Sequence, residues 1–212
     1  IPRVERYGQD RQQIYVPRGG RFATLINAGR GNFGGELVLE GKDLPEGIKM
    51  ICENMPANMS TMPVVFEAAA DAPLSGKLLA FSARHVENEA IRGSFGNSAD
   101  FVRGGPGQSI YRRKAVKQLA VAVVDALPFK IDIVVPKVPI VRNGSMQLKI
   151  VATKTEGWDE QINVQLPFRP PGLGASSSIN IPKGKTEALY PLSANSNAQI
   201  KKWKIYALGT SG

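Results

Sequence analysis

The chain has 212 residues, 42% of them hydrophobic and 21% charged, with a formal net charge of +9; that suits a folded protein with one large core or two cores of roughly 100 residues each. No stretch approaches the roughly 20 consecutive apolar residues of a membrane-spanning helix. The single cysteine, Cys52, excludes an internal disulfide and a cysteine-built zinc site.

In chain order, the first strands are predicted at 13–17 (QIYVP), 21–27 (RFATLIN), 36–40 (ELVLE), 48–53 (IKMICE), 63–69 (PVVFEAA) and 77–83 (KLLAFSA). Each is rich in Val, Ile, Leu or Phe and bounded by Gly, Pro, Asn or Asp, the punctuation of sheet proteins. A glycine-rich, charged segment at 84–116 follows. Within it, ADFVRGGPGQSIYRR predicts a hairpin turning at GGPG, with Phe101 and Val102 facing Ile110 and Tyr111. QLAVAVV at 118–124 reads as the next strand. Further strands are predicted at 129–135, 146–153, 161–167, 177–182, 187–192 and 201–208 (KKWKIYAL), and no helix is predicted. Met146, Leu148 and Ile150 alternate with Gln147, Lys149 and Val151, the period of two that gives a strand one buried and one wet face.

An internal echo organises these strands. Residues 157–173 overlie 32–48 at an offset of 125, placing Trp158 on Phe33, Ile162 on Leu37, Val164 on Leu39, Pro170 on Pro45 and Gly172 on Gly47. At an offset of 124, Gly144, Met146 and Ile150 fall on Gly20, Phe22 and Ile26, while Trp203 and Ile205 fall on Leu79 and Phe81. Large inward residues and turn residues keep their places while surface positions drift, which is the signature of a repeated module. The expectation is an all-β chain of two tandem Ig-like antiparallel β-sandwich domains, 1–125 and 126–212, joined semi-rigidly at VVDALPF (123–129). The 84–116 elaboration belongs to the first copy alone, which makes it the best candidate for a module-specific contact.

The motifs give little chemistry. GRGNFG (29–34) spells a dinucleotide loop but leads into a strand pattern, so the helix N-terminus that would hold a pyrophosphate is missing. His85, the only histidine, has no Gly-x-Ser-x-Gly elbow to serve and reads as a surface residue. Cys52 lies among Ile and Met and reads as a small buried hydrophobe. Asp71, the pair Glu87 and Glu89, and the pair Asp159 and Glu160 fall in predicted loops without a calcium-loop or glycosidase pattern. Trp158 and Trp203 are expected to be buried. No catalytic residue, cofactor or metal site is assigned.

Charge is uneven. Residues 1–125 carry 16 Lys and Arg against 13 Asp and Glu, net +3, and residues 126–212 carry 11 against 5, net +6. Such a balance favours an acidic partner. The candidate interaction residues are Phe101, Arg103, Tyr111, Arg112 and Arg113 on the hairpin, and Lys202, Lys204 and Tyr206 near the end of the chain. RRK and KKWK are too short, and too poor in surrounding module, to predict nucleic-acid binding.

The succession P-x-x-x-N-G-S-x-x-L-K-I (139–150), G-W-x-x-x-I-x-V-x-L (157–166), P-P-G-L (170–173) and I-P-x-G (181–184), with L-P-E-G-I (44–48) in the first half, resembles Ig-like sandwich modules of large secreted bacterial proteins, the type found alongside pre-peptidase C-terminal domains. That resemblance implies an extracellular, cell-surface or periplasmic location and a non-catalytic role as spacer, adhesion or substrate-presenting accessory. The implied partners are other domains of a parent protein; the basic charge of the second half adds a polysaccharide or the cell-envelope surface as partner and, as the alternative role, a carbohydrate-binding accessory module for acidic polysaccharide. A chain opening on Ile1-Pro2 fits a piece of such a longer or processed precursor.

Overall fold

The computed structural model describes residues 13–103 and 110–211, with side chains described outside 99–111. Among these residues every regular element is a strand. The chain divides into two compact units, one running through Asp125 and one taking up at Ala126, with 23–25 assigned to the second.

The first unit contains β1 (Gln13–Pro17), β2 (Arg21–Asn27), β3 (Leu37–Lys42), β4 (Ile48–Cys52), β5 (Thr61–Ala68), β6 (Ser75–His85), β7 (Arg92–Ser94), β8 (Asn97–Arg103), β9 (Ile110–Val116) and β10 (Leu119–Val124). One sheet has the order β1-β10-β6-β3, with β7 also paired to β6; a second has the order β2-β5-β4; β8 and β9 form a two-stranded sheet among the described residues. Alternate residues turn inward, as the period of two requires. Ile14 and Val16, Leu79 and Phe81, and Leu119, Val121 and Val123 are all 0 to 4% exposed, and Val64 and Phe66 of β5 are fully buried. One pairing differs from the antiparallel expectation: β1 runs parallel to β10, from Gln13 opposite Ala120 to Pro17 opposite Val124. The two strands come from opposite ends of the unit, so no tight turn forces them to run antiparallel.

The second unit contains β11 (Phe129–Ile133), β12 (Ser145–Lys154), β13 (Ile162–Gln165), β14 (Leu173–Ala175), β15 (Ile179–Ile181), β16 (Glu187–Ala194) and β17 (Leu208–Thr210). Its sheets have the orders β11-β12-β16-β14 and β15-β13-β17. Leu148, Ile150, Tyr190 and Leu192 from the first meet Ile162, Val164 and Ile181 from the second in one core. Tyr190, fully buried, donates its hydroxyl to Ser176 O at 2.8 Å, which avoids the roughly 1–3 kcal/mol cost of an unsatisfied buried hydroxyl. The strand predicted at 201–208 does not form: strand structure begins only at Leu208, and 201–207 lie outside any strand. Alternation supplies the side-chain pattern, but a strand also needs a hydrogen-bonded neighbour.

The two units hold their turns with the same hydrogen bonds. In the first, Gly20 N–H donates to Pro17 O (2.9 Å), Ala68 N–H to Gly20 O (3.1 Å) and Arg18 Nε–H to Ala72 O (2.8 Å). In the second, Gly144 N–H donates to Val141 O (3.1 Å), Ala194 N–H to Gly144 O (2.9 Å) and Arg142 Nε–H to Ala198 O (2.8 Å). Gly19 and Asn143 occupy the same left-handed turn position, with φ of 59° and 57°. Gly47 and Gly172 have φ of 77° and 84°. Their carbonyls accept from Ala69 N–H (2.9 Å) and Asn195 N–H (3.0 Å), respectively. Leu37 bridges Met55 as Ile162 pairs with Ile181.

The offset between matching positions grows along the chain, from Gly20 and Gly144, through Gly47 and Gly172, to Ala68 and Ala194. At the last strand, Leu39 opposite Ala83 and Val164 opposite Gly209 place Gly209 on Ala83. Leu79 therefore corresponds to Ile205, not to Trp203. The sequence alignment is two residues out there, and a slip of two keeps the inward face inward, so the hydrophobic pattern does not register it.

Candidate functional site

The hairpin forms where the sequence places it, but its register differs. Val102 lies opposite Arg112 and Arg103 opposite Ile110, with a register shift on either side of Val102, whereas the sequence reading had Phe101 and Val102 facing Ile110 and Tyr111. Extra residues in an irregular ladder shift the facing pairs in a way that residue types do not reveal. The GGPG turn at 104–107 lies outside the described residues, as do the side chains of Phe101, Arg103 and Tyr111. Arg112, Arg113 and Lys114 are exposed on β9. Strand alternation puts Arg112 and Lys114 on one face of the ribbon.

His85 is buried, not on the surface. Its Nδ1 accepts from Glu87 N–H (3.0 Å) and Asn88 N–H (3.1 Å), and Nε2–H donates to Gly34 O (3.1 Å). Three backbone partners consume both ring nitrogens and set the tautomer. Sequence reading missed this because the loop that encloses the ring carries Gly34, 51 residues away in the chain. Nearby, Arg30 of GRGNFG donates to the carbonyls of Gly35 (3.2 Å), Met55 (3.1 Å), Pro56 (2.9 Å) and Met59. The glycine-rich segment is thus a loop tied down by its own arginine, and it leads into β3 rather than a helix. Arg18, Arg30 and Arg142 all hold backbone carbonyls. For Arg18 and Arg142 a signal was present, because the stretches PRGG and VRNG recur at the offset of 124.

In the second unit, Trp158 is half-buried and stacks on Phe129 with centroids 5.2 Å apart and planes 16° apart. Lys154 Nζ lies 5.8 Å from the Trp158 ring centroid and donates to Asp159 Oδ1 at 2.7 Å. The Lys154 hydrogen bond, followed by one from the Gly184 backbone, holds the Asp159 carboxyl below the usual carboxylate range. A lowered folded-state value stabilises the fold above the unfolded pKa of about 3.9, and that contribution is lost as pH falls through the folded value. Asp159→Asn is accordingly expected to flatten the acid limb of the stability profile, measured as the urea midpoint from neutral pH down to about 2. An unchanged acid limb would show that the pair contributes nothing.

The lysine-rich candidates lie between β16 and β17. Lys202 and Lys204 are exposed, and Tyr206 is half-buried, with desolvation pushing its phenol up to about 12. Trp203 is half-buried rather than buried. It rests against Phe168 with centroids 6.4 Å apart, and Lys201 Nζ lies 4.9 Å from its ring centroid. The hairpin set and this set belong to different units. Cys52 is half-buried, its Sγ 3.6 Å from Leu39 O, and burial raises the thiol pKa, the opposite of what a nucleophile needs.

A shallow groove of about 290 Å³ crosses the outer face of β1, β10 and β6, floored by Gly76, Ala120 and Ala122 between Tyr15 and Leu78. Its volume is below the roughly 300–1,000 Å³ of ordinary small-molecule sites. Among the described residues, no group of three or more His, Cys, Asp or Glu is placed to hold a metal ion, and no helix is long and apolar enough to cross a membrane.

Fold and side chains together define an all-β protein whose unusual polar residues serve its turns and loops. No model of a known protein family matches the chain, and a search of curated proteins finds no match.

Proposed function

We propose that the chain is a non-catalytic tandem of two Ig-like sandwich modules, serving as a spacer, adhesion or substrate-presenting part of a larger exported bacterial protein. The observation that carries this reading is the recurring turn framework, in which Arg18 and Arg142 close matching turns with the same 2.8 Å bond. The residues on which hydrolytic chemistry would depend are engaged in structure: His85 is consumed by three backbone groups, and Cys52 has a raised pKa. The exported location rests on the resemblance of the turn motifs to secreted bacterial modules. Fold alone does not establish function.

A second reading is a carbohydrate-binding accessory for acidic polysaccharides. It is favoured by the half-exposed Trp203 ring beside Lys201 and Lys202, since indole faces stack on sugars and ammonium groups attract carboxylates.

The test is to incubate the chain with neutral and acidic polysaccharides and follow retention, turnover and tryptophan fluorescence. The spacer reading expects neither turnover nor a fluorescence change. A salt-sensitive shift lost in Trp203→Ala would favour the second reading. Turnover abolished by His85→Ala or Asp159→Asn would overturn both.

A further inference from the structure

The ribbon of β8 and β9 carries charge out of proportion to its length. In its 14 residues, NSADFVR and IYRRKAV, the cations Arg103, Arg112, Arg113 and Lys114 stand against the single acid Asp100, a net +3 of the chain's +9. From Phe101 to Val124 the sequence has no Asp or Glu. Among the described residues the two strands form a sheet of their own. Asn97, Ser98 and 112–115 are exposed, and Val116 is half-buried. Both faces of β9 are therefore wet, and none of these side chains belongs to the core. A two-stranded ribbon is marginally stable by itself and gains order from a partner that lies along it.

Register sorts the charges by face. Arg113 stands opposite Asp100, so a cation and an acid share one face. Arg112 stands opposite Val102 and Lys114 opposite Ala99, a separation produced by the shift between Asp100 and Val102. Being two residues apart, Arg112 and Lys114 share the other face at a spacing of about 7 Å. Their cross-strand neighbours are uncharged, so this face has cations and no acid opposite them. The guanidinium fork suits a carboxylate bidentately, and the ammonium adds a point charge beside it.

We propose that the face of Arg112 and Lys114 binds an acidic polysaccharide, one with a carboxylate on each sugar, whose chain lies along β9. Charge complementarity selects an anionic polymer. The one-sided arrangement selects a glycan over duplex nucleic acid. A ribbon set into a major groove has phosphates on both flanks, where the Asp100 carboxylate opposes binding, whereas a single glycan chain needs only one cationic face. Lys117, exposed just beyond β9, lengthens the cationic run. The proposal rests on the acidic-polysaccharide reading and moves its contact from the Trp203 segment to the ribbon.

The probe is polygalacturonate, with its fully methyl-esterified form as the uncharged control. Each is added to the full chain and followed by titration calorimetry and amide hydrogen exchange. The expected result is salt-sensitive binding of the acidic form alone, with exchange slowed by about tenfold or more in β8 and β9. Arg112→Gln combined with Lys114→Gln, exposed changes that leave the core alone, should weaken binding by about tenfold or more, and Lys114→Arg should keep it. Lys201→Gln combined with Lys202→Gln should leave it unchanged. Equal binding of the esterified form, or tighter binding of a DNA duplex at the same salt, would overturn the proposal. Binding that survives the ribbon double variant but is lost in Trp203→Ala sinks the ribbon site and keeps the polysaccharide reading. No binding of polygalacturonate sinks both.

Discussion

Phe66→Ala is expected to cost about 3–5 kcal/mol of folding stability, the range for truncating a fully buried aromatic side chain. Phe66 has no exposed surface and lies in β5, the central strand of the order β2-β5-β4. Its removal discards the transfer free energy of the ring and leaves a cavity that sheet backbones on both sides hold open. Urea unfolding followed by far-ultraviolet circular dichroism would measure the loss, since Trp158 and Trp203 both belong to the second unit and report on that unit alone. A change below about 1 kcal/mol would mean that the site collapses without cost, and the sheet-on-sheet core of the first unit would have to be redrawn.

Gly47→Ala and Gly172→Ala form the second large effect and are informative as a pair. Both glycines sit in the left-handed region, where a side chain costs roughly 1–3 kcal/mol. Space is also lacking. A Cβ on Gly47 would lie 2.6 Å from Ala72 Cβ, and one on Gly172 would lie 2.5 Å from Ala198 Cα. Gly157 supplies the control, because its φ is 79° but nothing lies within 4 Å of an added Cβ. Gly157→Ala should therefore show the conformational cost alone, about 1–2 kcal/mol, and the other two should exceed it by roughly 1–3 kcal/mol for the enforced overpacking. Equal losses at all three positions would show that the backbone at Ala72 and Ala198 yields, and would remove the rigid contact on which the matching turns depend.

Much of the fold was legible because strand formation leaves a local mark. QIYVP, RFATLIN and EALYPL alternate or cluster apolar residues between turn formers, and the strands begin at the positions read from the sequence. The turn glycines were legible for the same reason, since only a residue without Cβ fits a crowded left-handed position. The candidate site was less legible. His85 looked like a surface residue because its neighbours in sequence are charged, yet its environment is made by Gly34 and by the loop at 87–88. The hairpin register shifted because irregularity on either side of Val102 depends on backbone geometry rather than residue type.

From the amino-acid order alone came the all-β class, most of the strands and the pairing of Gly47 with Gly172, because each depends on spacing or on the conformational range of single residues. Tertiary structure decided that β1 runs parallel to β10, that His85 is enclosed, and that KKWKIYAL, with the alternation of a strand, stays outside one until Leu208. Each of those outcomes depends on which distant backbone lies alongside. Sheet hydrogen bonds are made between segments, so a segment can carry every side chain a strand needs and still lack the neighbour that makes it one.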